Sequence, residues 1–317
     1  MHPAGSIILF TTASGLGYGL LFVIGLFSAF SGTTPSPAFG AVALGIALGT
    51  VTIGLLSSTF HLGHPERAWR AVSQWRSSWL SREGVMALLA YVPAVYFAAG
   101  WVFFGTDITA WQASGILTAL IALLTVACTS MIYASLKAIP RWHNSWVPAN
   151  YLLFALMSGV LWFDALLRIF GYAYSNLTII ATVSVIAALL AKWAYWRSID
   201  NAQPVATVGS ATGLGTGNDV RLLESPHSGG NYLLNEMGFQ IARKHAEKLR
   251  KLAILLTFLL PVCLCAIALL SSGTVATVAI VLAALTAQTG ITVERWLFFA
   301  EAQHVMALYY GRPLGNS

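Results

Sequence analysis

The 317 residues are 57% hydrophobic and only 9% charged, with a mean hydropathy of +0.73, whereas a soluble domain carries about 25% charged side chains. That excludes a water-soluble enzyme. A net charge of +6 would point a soluble domain toward nucleic acid; here it reads as membrane topology, because Lys and Arg gather in cytoplasmic loops. Roughly 20 apolar residues cross the hydrocarbon of a bilayer as a helix. Apolar blocks read against polar breaks predict helices at residues 11–30, 39–60, 83–104, 111–136, 149–170, 177–196, 252–271 and 275–296. These are continuous apolar runs without period-two alternation, so a β-barrel is disfavoured. The expectation is an all-α integral membrane protein: one polytopic domain over residues 1–317, built as an eight-transmembrane-helix bundle. No Lys or Arg precedes the first run and no clear small-residue cleavage pattern follows it, so it reads as a retained span.

The basic residues set the orientation. The loop after the second span holds Arg67, Arg70, Arg76 and Arg82, and the loop after the fourth holds Lys137 and Arg141. The segment at about 197–251 and its flank hold eight more, from Lys192 to Lys251, and Arg295 and Arg312 follow near the C-terminus. Of the 17 Lys and Arg residues, only Arg168 falls on the other side. The expected topology therefore has both termini and the long loop in the cytoplasm, in a bacterial inner membrane. Within that loop, Gly209, Gly213, Gly215 and Gly217 lie among Ser and Thr, with no G-K-[ST] following. They read as a flexible linker and not as a phosphate loop. Residues 231–251 mix Leu, Met, Phe and Ile with Arg and Lys, a pattern for a helix at the lipid surface or against a cytoplasmic protein.

Candidate chemistry concentrates at one membrane face. No predicted span has a histidine in its interior, which argues against haem b. Cys128, Cys263 and Cys265 lack metal-ligand spacing, which argues against a metal site or an iron–sulfur cluster in this protein. The densest cluster is His61-Leu62-Gly63-His64-Pro65-Glu66-Arg67-Ala68-Trp69-Arg70, followed by Ser78-Trp79-Leu80-Ser81-Arg82-Glu83. It collects imidazole, carboxylate, guanidinium and indole groups. Quinone chemistry moves two protons with two electrons, so each oxygen needs a group able to change protonation state. The competing reading makes the Arg and Trp residues interfacial anchors and Glu83 a helix cap. Further along, Asp164 and Arg168 are spaced to pair on one helix face. Glu294 and Glu301 are seven residues apart on roughly one face, either lining a proton path or facing solvent.

The run H-L-G-x-P-x-R-A at His61–Ala68 and S-W-L-S-x-E at Ser78–Glu83 resembles the membrane-anchor subunits of dimethyl-sulfoxide-reductase-type molybdenum enzymes. Ile139-Pro140-Arg141-Trp142, Trp146-Val147-Pro148, Glu294-Arg295 and Tyr309-Tyr310-Gly311 extend the similarity along the sequence. The resemblance implies a haem-free bundle that exchanges electrons between membrane quinone, ubiquinone or menaquinone, and the iron–sulfur subunit of a complex whose molybdopterin sits in the large subunit. It implies His61 and Glu83 as quinone-site groups; the residue cluster itself adds Trp79, Arg82, His64 and Arg67 as candidates for the same quinone-binding site. The cytoplasmic docking face, with Leu222–Leu233 and Ala242-Arg243-Lys244-His245, resembles the sulfite-oxidising branch more than an exported reductase. The competing expectations are a menaquinol-oxidising anchor of a sulfoxide or N-oxide reductase and, from another class, a small-solute transporter. The latter requires inverted repeats with matched broken helices. Reporter fusions at Ser317 and within residues 105–110 are expected to show opposite sidedness, with Ser317 cytoplasmic; an external C-terminus overturns the topology.

Overall fold

The computed structural model describes residues 4–33, 35–60, 64–104, 109–217, 219–224 and 241–314. His61, and the first half of the helix expected at 231–251, lie outside the described residues. Among the described residues, eight helices are long and apolar enough to cross a membrane. Six come in direct order: α1 (Gly5–Phe30), α2 (Pro37–Thr59), α3 (Trp79–Phe103), α4 (Thr109–Ala134), α5 (Trp146–Ile169) and α6 (Ser175–Asp200). After a short α7 (Val208–Thr212), α8 (Ile241–Ile254) runs through a π turn (Leu255–Leu259) into α9 (Leu260–Leu270), together the seventh span. The π turn precedes Pro261, which has no N–H to return to the preceding turn, so the helix widens there. The last span is α10 (Gly273–Ala300).

All eight expected spans are present, and most start earlier than the apolar runs do. Interfacial residues such as Trp79 and Trp146 form the opening turns of α3 and α5, and a reading of apolarity alone trims them. Glu83 is consequently no helix cap: it sits one turn inside α3, behind Ser78 at the cap position.

The helices form two groups of four. α1 packs on α2 and α4, and α3 packs on α2 and α4; in the second group α5 packs on α6 and α10, and α9 packs on α6 and α10. With four spans each, the groups run in the same direction, unlike the inverted repeat that the transporter reading requires. They meet through α1 against α5, and both helices are buried nearly all round, as at Leu16–Leu21 and Val160–Leu161. Without water to drive helices together, such contacts depend on backbone approach between small residues. A Cβ added at Gly19 would lie 1.8 Å from the Ala155 carbonyl oxygen, and one at Gly159 would lie 2.3 Å from the Gly19 carbonyl carbon. Facing outward, Ile53, Leu56, Leu88, Val92, Val183, Leu190 and Val275 are exposed apolar side chains, the surface expected against lipid.

The segment expected as a flexible linker is folded instead. Thr207 and Ser210 form a reciprocal capping box at the start of α7, Val208 is buried, and the Gly209 N–H donates to the Gly217 carbonyl at 2.8 Å. Gly213 and Gly215 take positive φ values of 72° and 138°, which is how a glycine-rich stretch closes into a tight turn. This turn rests on a C-terminal 3₁₀ helix (Val305–Tyr310). Desolvation holds the His304 imidazole below its ordinary pKa, and its Nδ1 accepts the Met306 N–H at 3.1 Å, a role open only to the neutral ring.

Gly159→Leu is expected to remove most detergent-extractable folded protein, since overpacking of this kind costs about 3 kcal/mol or more. Gly45→Ala, where a Cβ meets nothing within 4 Å, is expected to leave the yield unchanged in the same size-exclusion assay.

Candidate functional site

Four carboxylates are buried among the described residues: Glu83, Asp164, Glu294 and Glu301. In a bilayer an ionised side chain must find a partner or a use. Three of them have cations. Arg168 Nε donates to Asp164 Oδ1 at 2.9 Å, and Thr178 Oγ1 accepts from Arg168 at 2.8 Å while donating to Asp164 Oδ2 at 2.6 Å. This closed triad between α5 and α6 satisfies both carboxylate oxygens from within, so it is a structural ion pair. Glu294 on α10 accepts from Lys192 of α6 and lies 3.5 Å from Arg295 Nε. Glu301 accepts from Arg250 Nε at 3.1 Å, and Arg250 also grips both carboxylate oxygens of Asp200. Arg141 approaches Glu301 at 3.7 Å. These contacts tie α6, α8, α10 and the loop between α4 and α5 together at the basic end of the bundle.

Glu83 differs. Among the described residues its partner is a hydroxyl, Thr129 Oγ1 on α4. Thr129 is also 3.0 Å from the Thr125 carbonyl of its own helix. A hydroxyl can rotate, so Thr129 can donate to an ionised Glu83, or donate to Thr125 and accept from a protonated Glu83. The contact is satisfied in both protonation states, which a salt bridge is not.

Beyond Thr129 lies a small cavity of about 20 Å³ between α1, α4, α5 and α10. Its polar lining includes Thr11, Thr12, Ser14 and Tyr18 of α1, Thr129 of α4, Tyr151 and Ser158 of α5, and Arg295 of α10. The Arg295 guanidinium lies 3.7 Å from the Tyr151 ring centre, a cation–π contact that shields its charge. Toward the basic end an aromatic layer packs beside it: Tyr133 stacks on Tyr151, and Trp142 stacks on Phe298 at 5.6 Å and donates to the Phe298 carbonyl at 3.0 Å. The motif pair Arg141-Trp142 thereby anchors the loop between α4 and α5 to the end of α10.

The other sequence-predicted residues are placed apart from this interior. Arg82 stacks over Trp79 at 4.2 Å and donates to the carbonyls of Trp75 and Arg76, bracing the loop before α3. His64, Glu66 and Arg67 form an exposed cluster of their own, with His64 3.0 Å from Glu66 and Arg67 3.7 Å from it. Sequence reading missed Thr129, Tyr18 and Tyr151, which carry no distinguishing pattern in an apolar helix. It counted Lys192 and Arg295 as topological charges although both fall inside predicted spans, the signal that marks them as buried. No group of three or more His, Cys, Asp or Glu residues suited to a metal occurs among the described residues.

The fold and its interior define an integral membrane protein with eight spans among the described residues, most of whose buried charges gather at one end of the bundle. The family model described as DMSO reductase anchor subunit (DmsC) matches residues 1–311, and the chain belongs to that family. It is 33% identical to the C component of sulfite dehydrogenase from Allochromatium vinosum, over 98% of this sequence and 99% of that one. It is 24% identical to the C component of anaerobic dimethyl sulfoxide reductase from Escherichia coli, over 44% of this sequence and 48% of that one. To YnfH, an anaerobic dimethyl sulfoxide reductase component of the same organism, it is 28% identical, over 43% and 48%. Membership in an anchor family implies catalytic and electron-transfer partner subunits.

Removing one partner of a buried ion pair costs about 3–5 kcal/mol. Asp164→Ala is accordingly expected to lower the thermal stability of the extracted protein sharply, with Asp164→Asn, which keeps the hydrogen bond to Thr178, closer to wild type.

Proposed function

We propose that this protein is the quinone-reactive anchor of a three-subunit molybdopterin and iron–sulfur oxidoreductase. In this reading it passes electrons from cytoplasmic sulfite oxidation to membrane quinone, ubiquinone or menaquinone. The observation that carries the quinone assignment is Glu83: the one buried carboxylate among the described residues paired with a hydroxyl instead of a cation. A carboxyl that must take up and release a proton is disabled by a fixed counter-ion and served by a partner that tolerates both of its states. His61, two residues past the end of α2, and Glu83, one turn into α3, belong to consecutive spans joined by a short loop. Bound quinone supplies the two-electron, two-proton chemistry, and Glu83 with Thr129 supplies a proton donor and acceptor at one of its oxygens. Trp79 and Arg82 hold the loop that carries the motif.

The sulfite-oxidising assignment is supported by full-length similarity to a sulfite dehydrogenase component, against matches under half the sequence for the sulfoxide reductase components. Charge asymmetry supports a cytoplasmic face for the motif loop, the termini and the docked iron–sulfur and molybdopterin subunits. Without an internal haem, quinone must sit near the partner's nearest cluster, so quinone site and docking face belong on one side.

Glu83→Gln is expected to cut the ratio of quinone-linked to dye-linked turnover at least about tenfold, within the range of lost acid–base catalysis, with the complex still assembled on the membrane. A wild-type ratio rejects the site. Membranes lacking the protein are expected to lose sulfite-dependent quinone reduction. If they oxidise sulfite normally but fail to reduce a sulfoxide or N-oxide with menaquinol, the protein serves a reductase.

A further inference from the structure

The polar interior next to Thr129 has a geometry that ion pairing does not explain. Tyr18 and Tyr151 are both buried; the Tyr18 hydroxyl has no hydrogen-bond partner among the described residues, and the Tyr151 hydroxyl, which faces Tyr133 and Arg295, makes no well-formed hydrogen bond to either. Buried hydroxyls are as a rule bonded to protein or to ordered water. Both tyrosines line the cavity of about 20 Å³, together with Thr129 and Arg295. A site of roughly 10–15 Å³ or more with two to four polar partners suits one water molecule. It is far too small for a quinone ring. On its other side Tyr151 shares a narrow crevice with Asn150, Lys192, Glu294 and Arg295. There Glu294 Oε2 is ion-paired with Arg295 Nε at 3.5 Å, so its charge is met without water.

We propose that the cavity holds one buried water, bonded to Thr129, Tyr18 and Tyr151, that lets the Thr129 hydroxyl turn as Glu83 changes protonation state. The function of this water rests on the reading of Glu83 as the quinone-reacting carboxyl. Thr129 donates to Glu83 when the carboxyl is ionised; when Glu83 is protonated, Thr129 accepts from it and donates to the Thr125 carbonyl or to the water. The protons of the water and of the two tyrosines stay where they are, so charge changes only at Glu83. Tyr18 and Tyr151 hold the water in place, with Arg295 beside it.

The test uses the intact membrane complex with Tyr151→Phe and Tyr18→Phe, which remove a hydroxyl each while keeping the ring. Redox-induced infrared difference spectra are recorded in ordinary water and in water labelled with heavy oxygen. The expected result is a weakly bonded water O–H band that shifts with the label and is lost in Tyr151→Phe. With it, the ratio of quinone-linked to dye-linked turnover falls about tenfold or more, and the solvent deuterium effect on quinone turnover changes. A merely structural tyrosine would move neither the band nor the isotope effect. A wild-type turnover ratio in both variants with no label-sensitive band overturns the proposal. A wild-type ratio in Glu83→Gln rejects the quinone reading alone, and the label-sensitive band and its loss in Tyr151→Phe still decide the water site.

Discussion

The close crossing of α1 and α5 is the constraint on which the rest of the bundle depends. Gly19 and Gly159 let two backbones touch where any side chain would collide, and the residues beside them, Tyr18 and Ser158, line the small cavity together with Ala155. The contact that joins the two four-helix groups therefore also closes the polar space between them. Without it, α1 and α5 would stand apart and the hydroxyl-lined centre would open to lipid, where unsatisfied polar groups are costly.

The same low-polarity surroundings sort the buried charges into two kinds. Asp164, Glu294 and Glu301 are held by arginine or lysine, and their pairs pin helices to one another: α5 to α6, α6 to α10, and α8 to both. Glu83 is held by a hydroxyl. In hydrocarbon a fixed ion pair is a strong positional restraint and a poor acid or base, whereas a hydroxyl partner restrains less and accommodates a change of charge. The contrast separates three carboxylates that tie helices together from one whose partner tolerates a change of charge.

Membership in the anchor family implies partner subunits. The buried charges of the protein are themselves concentrated toward one end. Glu83, Thr129, Tyr151, Arg295 and the Lys192–Glu294 pair lie toward the helix ends that carry most of the basic residues. Of the buried carboxylates among the described residues, the opposite end holds only Asp164, closed within its triad. The rest of the bundle presents apolar side chains outward and serves as a support for this end.

Hydrophobic runs, charge asymmetry and motif spacing determined the number of spans, their type and the likeness to the anchor family, because these are local, additive properties of a polypeptide meeting a bilayer. The carboxylate at Glu83 was legible too, since an ionisable group in an apolar run stands out by cost alone. Tertiary structure decided what that carboxylate touches. Thr129 comes from another helix 46 residues away, and Tyr18, Tyr151 and Arg295 come from three more, so no local pattern marks them. It also decided that Lys192 and Arg295, basic residues like any others in a topology count, are buried partners of Glu294, and that the glycine-rich stretch at 207–217 folds against the C-terminal turn. Each of these depends on which helix faces meet, and that is fixed by packing between small residues distant in sequence, which span-by-span hydrophobicity does not encode.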